Sequence, residues 1–292
     1  MKEIVILSGK GGTGKTTVAA ALAVVAGREA VIGDCDVDAA NMHLLLKPDF
    51  AGGTDFYSGE IAVIDPLLCT SCGLCHEKCR FGAVSITNEA YSVNAFDCEG
   101  CGYCEIVCRY GAIAMVPRKT GKVYISEIKT GSTLVHANME VGAENSGKLV
   151  AKVKREAREI ATKEGMPYII IDGSPGLGCP VVASLGGASL VVLVTEPTLS
   201  ALHDMRRLNR VIKNFRIRTA CVINKHDLNA GKSREIREFL DEEGILYLAG
   251  IPYLPGIARS MAEAVTMAEA DDEGAATIRD IWKEIKNELI KT

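Results

Sequence analysis

What this sequence lacks narrows the classes it can belong to. No apolar run in its 292 residues approaches the ~20 needed to cross a bilayer, so no transmembrane span is expected. It lacks an excess of positive charge: 33 Lys and Arg against 37 Asp and Glu leave a formal charge of -4 and a pI near 5.8. That balance gives no support for general binding to nucleic acid or anionic lipid, which needs a basic footprint. Charge at Lys2 and Glu3, ahead of an apolar run only a strand long, is unlike a secretory leader, so a cytoplasmic location is expected. A hydrophobic content of 48% suffices for one α/β domain of ordinary size plus something smaller. Cysteine is plentiful, eleven in all, and its spacing points to metal in a reducing compartment, not to disulfides.

The stretch Ser8–Thr17 fits G-x-x-x-x-G-K-[ST] through Gly9, Gly14, Lys15 and Thr16. It follows Glu3-Ile4-Val5-Ile6-Leu7, which reads as a buried strand, and precedes the helix-forming run Val18 to Val25. Strand, glycine-rich turn and helix N-terminus make a phosphate cradle, because free backbone N–H groups and the helix dipole face the anion. Gly9, Gly11, Gly12 and Gly14, with Thr13 among them, let the backbone wrap a triphosphate. Lys15 is expected to neutralise the β- and γ-phosphates, the Thr16 hydroxyl to bind Mg²⁺, and Thr17 to reach the α-phosphate.

Lys10 is not required by an ordinary phosphate loop. The run Lys10-Gly11-Gly12-Thr13-Gly14-Lys15-Thr16 resembles the deviant Walker A loop of the MinD, ParA, Mrp and nitrogenase iron-protein superfamily of ATPases. The resemblance implies ATP or ADP as the nucleotide, an ATP-dependent homodimer, and Lys10 as a catalytic lysine reaching the partner's nucleotide; the plain alternative is a solvated lysine. Asp34-Cys35-Asp36-Val37-Asp38 ends the apolar strand Ala30 to Gly33, at the edge where open α/β sheets place ligands. By resemblance this is switch I, with Asp36 orienting the attacking water and Asp34 acting near Mg²⁺. Asp38 reads as a solvated carboxylate and Cys35 as a small buried residue.

Leu44 to Asp55 loses periodicity and reads as a connection out of the core domain. A repeat follows. Cys69-x-x-Cys72-x-x-Cys75-x-x-x-Cys79-Arg80-Phe81-Gly82-Ala83 recurs 29 residues later as Cys98-x-x-Cys101-x-x-Cys104-x-x-x-Cys108-Arg109-Tyr110-Gly111-Ala112. Zinc sites usually pair C-x-x-C with a distant second pair, so two identical four-cysteine runs favour iron–sulfur. The spacing resembles a bacterial ferredoxin with two [4Fe–4S] clusters, which implies crossed ligation: Cys69, Cys72, Cys75 and Cys108 for one, Cys98, Cys101, Cys104 and Cys79 for the other. Arg80 and Arg109 stand where ferredoxins usually carry proline. The clusters would relay electrons or, alternatively, hold a small module together.

Gly121 to Ile128 reads as a strand returning to the main sheet, which places the insert at 57–118 and the ATPase domain at 1–56 and 119–292. A helix through Leu149, Val153, Ala157 and Ile160 follows Glu144-Asn145-Ser146, where Asn145 or Ser146 is a candidate cap and the helix a candidate lever. Tyr168-Ile169-Ile170-Ile171-Asp172 delivers a carboxylate to a strand end, as Mg²⁺ requires. Gly173 to Pro180 resembles switch II, with Gly176 at the γ-phosphate. Cys179 matches one cluster ligand of nitrogenase iron protein, but the second cysteine of that site is missing, and a small packed residue is the competing reading. Asn224, ending the strand from Ala220, resembles the residue that reads the adenine edge, and Pro252 lies in the loop that by resemblance closes over adenine. The histidines lack partners at metal spacing. The helix Ile278, Ile281, Trp282, Ile285, Leu289 has one apolar face, expected to dock on the core and not on a membrane.

The expected fold is a doubly wound, mainly parallel α/β sheet of the P-loop NTPase kind with a small inserted α+β ferredoxin-like domain. The expected function is a dimeric ATPase whose nucleotide-driven closure gates electron transfer from its clusters to a redox or metallocluster partner. A metallocluster assembly ATPase and a spatial organiser with redox-sensing clusters are the alternatives. The C-terminal C-x-x-C of Mrp-type cluster carriers is absent, which weakens the scaffold reading.

Overall fold

The computed structural model describes residues 1–38, 40–50, 52–87, 90–140, 142, 145–270 and 272–291. Its strands, in chain order, are β1 (Lys2–Leu7), β2 (Ala30–Cys35), β3 (Thr54–Ile64), β4 (Val84–Thr87), β5 (Ala90–Val93), β6 (Ile113–Glu127), β7 (Thr133–Met139), β8 (Tyr168–Gly173), β9 (Leu190–Thr195), β10 (Thr219–Asn224) and β11 (Leu246–Ile251). Its helices are α1 (Lys15–Ala26), α2 (Met42–Leu46), α3 (Leu74–Lys78), α4 (Tyr103–Val107), α5 (Ser146–Glu164), α6 (Cys179–Leu185), α7 (Leu199–Asn214), α8 (Ala230–Glu243), α9 (Ile257–Ala262), α10 (Met267–Ala270) and α11 (Asp272–Ile290). The chain forms two compact units, one of Met1–Thr54, Val123–Asn138 and Ser146–Thr292, the other of Asp55–Lys122 and Met139–Asn145.

In the first unit the strands run β11-β10-β9-β1-β8-β2-β7, followed by the end of β6. β1 pairs in parallel with β8 and β9, β2 with β8 and β7, and β10 with β9 and β11. These strands are near-continuous runs of Val, Ile and Leu, as a sheet covered on both faces demands. Ile4, Ile6, Ile32, Ile170 and Val192 pack with α1 and α11, and the alternate residues turn to the other face, where Ile171 and Val153 of α5 meet over Gly33. The result is the expected doubly wound arrangement with one mixed edge. β6 and β7 are neighbours joined through 128–132, where Ile128 N donates to Ser132 O at 3.0 Å, and that reversal makes them antiparallel.

Two expectations need correction. The strand read at Gly121 to Ile128 is the end of a longer one, since β6 begins at Ile113 and carries alternating exposure through polar Arg118, Lys119 and Thr120 that hid it. The stretch from Leu44 is not wholly a connection: Met42 to Leu46 is helical, with Met42, Leu45 and Leu46 buried against the α1 core. A single turn shows no period in sequence, and tertiary burial decides it. Elsewhere local signals hold. Thr198 caps α7 by accepting from Ala201 N at 3.2 Å, Asn229 caps α8, and Gly244 ends α8 at φ 67. Of the segment before α5, Glu144 lies outside the described residues and Asn145 stands at φ 72. α11 docks on the core as expected, with Trp282 edge-on to Tyr168 at 5.2 Å between ring centroids.

The second unit has the antiparallel pair β4 and β5, the short helices α3 and α4, β3 and the start of β6. Gly73 at φ 79 and Gly102 at φ 73 precede the two helices identically, so the duplication in sequence is a duplication in backbone. Its core is small: Ala62, Ala83, Cys98 and Ile113, with Ile61, Ile64, Met115 and further cysteines against them.

One buried group makes stability depend on pH. His136 on β7 stacks on Tyr124 and meets Phe50 edge-on, and its Nε2 pairs with Ser126 Oγ at 3.2 Å. Burial, helped by the nearby His43, pushes it down to about 4. Between that value and the ordinary 6.5 the unfolded chain takes up a proton that the folded chain does not, so this contribution is complete above pH 6.5 and is lost as pH falls towards 4. Urea unfolding at pH 7 and pH 4.5 should differ by about 2 kcal/mol from this residue. A His136→Phe protein should lose that part of the slope.

Candidate functional site

The loop from Ser8 to Thr17 owes its shape to its glycines. Gly14 stands at φ 89, and a Cβ there would lie 2.2 Å from Asn224 Nδ2. A Cβ on Gly9 would meet the Asp204 backbone at 2.5 Å. Gly11 and Gly12 have open space instead, and with Gly14, Lys15, Thr16, Thr17, Asp36 and Pro175 they line a cavity of about 550 Å³. Val18 N donates to Gly14 O at 3.0 Å and starts α1, whose earlier N–H groups are left for a ligand.

The charges behind this loop do not balance. Lys15 Nζ lies 2.7 Å from Asp172 Oδ1 and 3.4 Å from Asp36 Oδ2. Asp34 and Asp172 are paired across β2 and β8 in the same register, so both reach the same end of the sheet. Asp34 accepts from Asp36 N at 3.1 Å and Met42 N at 3.4 Å. Burial first, then the charge of Asp172, pushes Asp34 up to about 8. Asp36 is also raised by burial, against the pull of Lys15. Burial would lower Lys15, but Asp172 and Asp36 outweigh it and hold the ammonium above its ordinary value. Asp172 is fully buried and its Oδ2 has no hydrogen-bond partner among the described residues. One ammonium against three carboxylates, with an orphaned oxygen, is a donor set that fits a divalent cation beside phosphate.

A second cavity, about 260 Å³, is lined by Gly12, Gly14, Thr17, Asn224, Lys225 and Pro252 together with Tyr253 to Pro255. Asn224 Nδ2 donates to Thr13 O at 2.9 Å, which ties the end of β10 to the phosphate loop. Gly176 N donates to Ser8 O at 3.0 Å, so the segment after β8 is tied to the same loop. Lys10 does not line either cavity. It turns to Glu196 Oε1 at 2.8 Å, Ser200 Oγ at 3.1 Å and Thr198 Oγ1 at 3.4 Å.

Three residues here escaped sequence reading. Glu196 joins Lys10 to Lys225, whose Nζ is 3.4 Å from Oε2. Asp227 accepts from Tyr253 N at 2.7 Å and fixes the loop around Pro252. Met261 takes the Thr17 hydroxyl at 3.4 Å. Glu196 carried a usable signal, because it follows β9 at the carboxyl edge where β8 and β10 place Asp172 and Asn224. Met261 carried none.

In the second unit Cys69, Cys72, Cys75 and Cys108 line one cavity, while Cys79, Cys101 and Cys104 line another. Cys98 is buried, and Cys75, Cys79, Cys104 and Cys108 pack around its core cluster. Each group thus draws on one run and on the last cysteine of the other. Among the described residues no three His, Cys, Asp or Glu side chains form a site for a single metal ion. Burial resists ionisation of Cys79, yet backbone N–H groups of Phe81, Ala83, Val84 and Gly82 outweigh it and lower the thiol. Burial raises Cys75 and Cys104. Cys179 is exposed at the start of α6, and Cys35 and Cys221 are buried. His203 pairs with Asp204 at 3.1 Å, and His226 packs over Gly250.

Against known proteins, a family model described as the CobQ/CobB/MinD/ParA nucleotide binding domain matches residues 4–267. The protein MJ0578 of Methanocaldococcus jannaschii is 31% identical over 286 residues, covering 97% of this chain and 96% of its own. The cell division ATPase MinD of Pyrococcus furiosus superposes with a TM-score of 0.59 at 22% identity, over 98% of each chain. The septum site-determining protein MinD of Pyrococcus horikoshii, complexed with Mg-ADP, gives 0.60 at 20% identity, over 100% of this chain and 98% of that one. At such identities these structures speak for the fold. No helix among the described residues is long and apolar enough to cross a membrane.

Removing Lys15 leaves its carboxylates facing one another. Lys15→Ala should cost the nucleotide-free protein about 3 kcal/mol in urea unfolding, and Asp172→Asn added to it should restore part of the loss. Strict additivity of the two changes would show that the pair is not coupled.

Proposed function

We propose that this chain, which belongs to the CobQ/CobB/MinD/ParA nucleotide-binding family and is a P-loop ATPase of the MinD/ParA type, couples ATP hydrolysis to electron transfer from two [4Fe–4S] clusters to a partner protein. The observation that carries the second half is the crossed grouping of thiols, in which Cys108 joins Cys69, Cys72 and Cys75 on one wall and Cys79 joins Cys101 and Cys104 on another. A single ion needs its ligands converged, whereas a four-iron cluster spaces its thiolates because each binds a different iron. The donor chemistry therefore fits two clusters, with Cys98 completing the second set. Bound there, they would supply one-electron chemistry.

On the ATPase side, backbone N–H groups of Gly11 to Thr16 and the Lys15 ammonium hold the phosphates. Thr16 and Asp172, with Asp34 behind them, hold Mg²⁺. Asp36, half-buried on the cavity wall, orients the attacking water, and Gly176 reports the γ-phosphate to the segment before α6. Asn224 and the loop at Pro252 hold the base. Two copies meet over the nucleotide, and Lys10 leaves Glu196 to complete the partner's site. What supports coupling is connectivity: both stretches of the cysteine-bearing unit, Asp55–Lys122 and Met139–Asn145, lie between Asp36 and Asp172 in the chain.

Anaerobic purification should give about eight iron and eight sulfide per chain, and ATP should change the EPR signal and the rate at which the clusters reduce an acceptor. Lys15→Ala should keep its iron and lose that ATP response. Redox behaviour indifferent to ATP in the wild-type protein would overturn the coupling.

A further inference from the structure

The two cysteine runs are near-copies in sequence, but their thiol groups have unequal surroundings. Cys69, Cys72, Cys75 and Cys108 face a narrow cavity of about 20 Å³ whose other walls, Ile64, Leu74, Tyr91 and Tyr110 among them, are uncharged. Tyr91 comes from the β4–β5 hairpin, and its hydroxyl closes over Gly73, where a Cβ would stand 2.9 Å away. No such hairpin follows the second run, because Ile113 continues directly into β6. Cys79, Cys101 and Cys104 lie instead on a concavity of about 650 Å³, together with Glu77, Lys78, Arg80, Phe81 and Tyr103.

The charge around the second group is also different. Lys78 is neutralised by Glu77 at 2.7 Å. Glu105 accepts from Met115 N at 3.3 Å, and Glu99 lines neither cavity. Among the described residues no ion pair is seen for Arg80, the remaining charge on that wall, while Arg118 donates to Cys98 O at 3.2 Å. Arg109, the counterpart of Arg80 in the repeat, lines neither cavity. Residue exposure does not make the second group the more open one, since Cys72 and Cys101 are both exposed and Cys98 is buried where its counterpart Cys69 is half-buried; the difference lies in the cavity walls and their charge.

We infer that the site of Cys79, Cys98, Cys101 and Cys104 is the higher-potential one of the two, and the port through which electrons leave for a one-electron acceptor on the partner protein. The inference rests on the proposed clusters. Reduction adds a negative charge, which a fixed cation and access to water stabilise, and which narrow apolar walls disfavour. One electron given by a one-electron donor, itself oxidised as the covered site is reduced, is therefore taken up at the open site, the first being reoxidised as the second is reduced. It leaves as the acceptor is reduced in turn.

EPR-monitored redox titration of the anaerobically purified full chain, with iron and sulfide measured on the same sample, tests this. Two one-electron steps are expected. Arg80→Gln should lower the upper step alone, by a roughly three- to tenfold change in its equilibrium constant, ~30–60 mV, and Arg109→Gln should move neither. Full iron with one unresolved step, or with Arg80→Gln shifting the lower step, overturns the inference and leaves the proposed function standing. Absence of iron and sulfide from the wild-type chain overturns both.

Discussion

The carboxyl end of the first unit's sheet depends on one imbalance, three carboxylates around a single buried ammonium. Asp34 and Asp172 are brought level by the parallel register of β2 and β8, and Asp36 closes on Lys15 from the cavity side. Burial and the charge of Asp172 raise Asp34, which limits the charge gathered there, and Lys15 pairs with Asp172 at 2.7 Å. A phosphate group that took Lys15 would remove that partner, and a divalent cation would then answer the charge deficit. Nucleotide and metal thus belong together by charge, and the glycines of the loop exist to let the phosphate come close enough.

The second unit solves another problem. The buried apolar residues described in it, Ala62, Ala83, Val84, Cys98, Ala112 and Ile113, are mostly small and make too little core for a unit of its length, and exposed Leu67, Phe96 and Ile106 show how little apolar area it hides. Small modules of that kind need staples, and thiols grouped from both runs are placed to provide them. A structural contribution and a redox one are therefore not alternatives, because the same ligation that would hold the helices α3 and α4 would also hold the electrons.

The parts of this architecture that sequence made legible are those where chemistry is local. Gly14 and Lys15 in a strand–turn–helix context, the repeated cysteine spacing and the single apolar face of α11 each carry their meaning within a few residues. Asp172 and Asn224 were readable because strand ends are where open sheets put ligands. What failed to show was decided by distant partners. α2 is one turn stabilised by burial against α1, β6 alternates too weakly to announce its start, and Glu196 acquires its role only because Lys10 arrives from 186 residues away to meet it. Nothing in the repeat foretold that Arg80 and Arg109 would differ, since the hairpin that separates their surroundings lies outside the repeated motif.

The cysteine-bearing unit occupies two stretches of the chain between β2 and α5. Both of its stretches, Asp55–Lys122 and Met139–Asn145, follow Asp36 and precede Asp172 in the chain. On the return side, α5 starts at Ser146, directly after the second unit's last residues, and Gly147 packs against Cys179 at the head of α6. α6 in turn follows Gly176, which Ser8 of the phosphate loop holds by a hydrogen bond. Lys154 of α5 holds the far end of α6 through the carbonyls of Ala183, Ser184 and Gly186. Within the first unit, α5 and α6 are thus tied to the phosphate loop through Gly176.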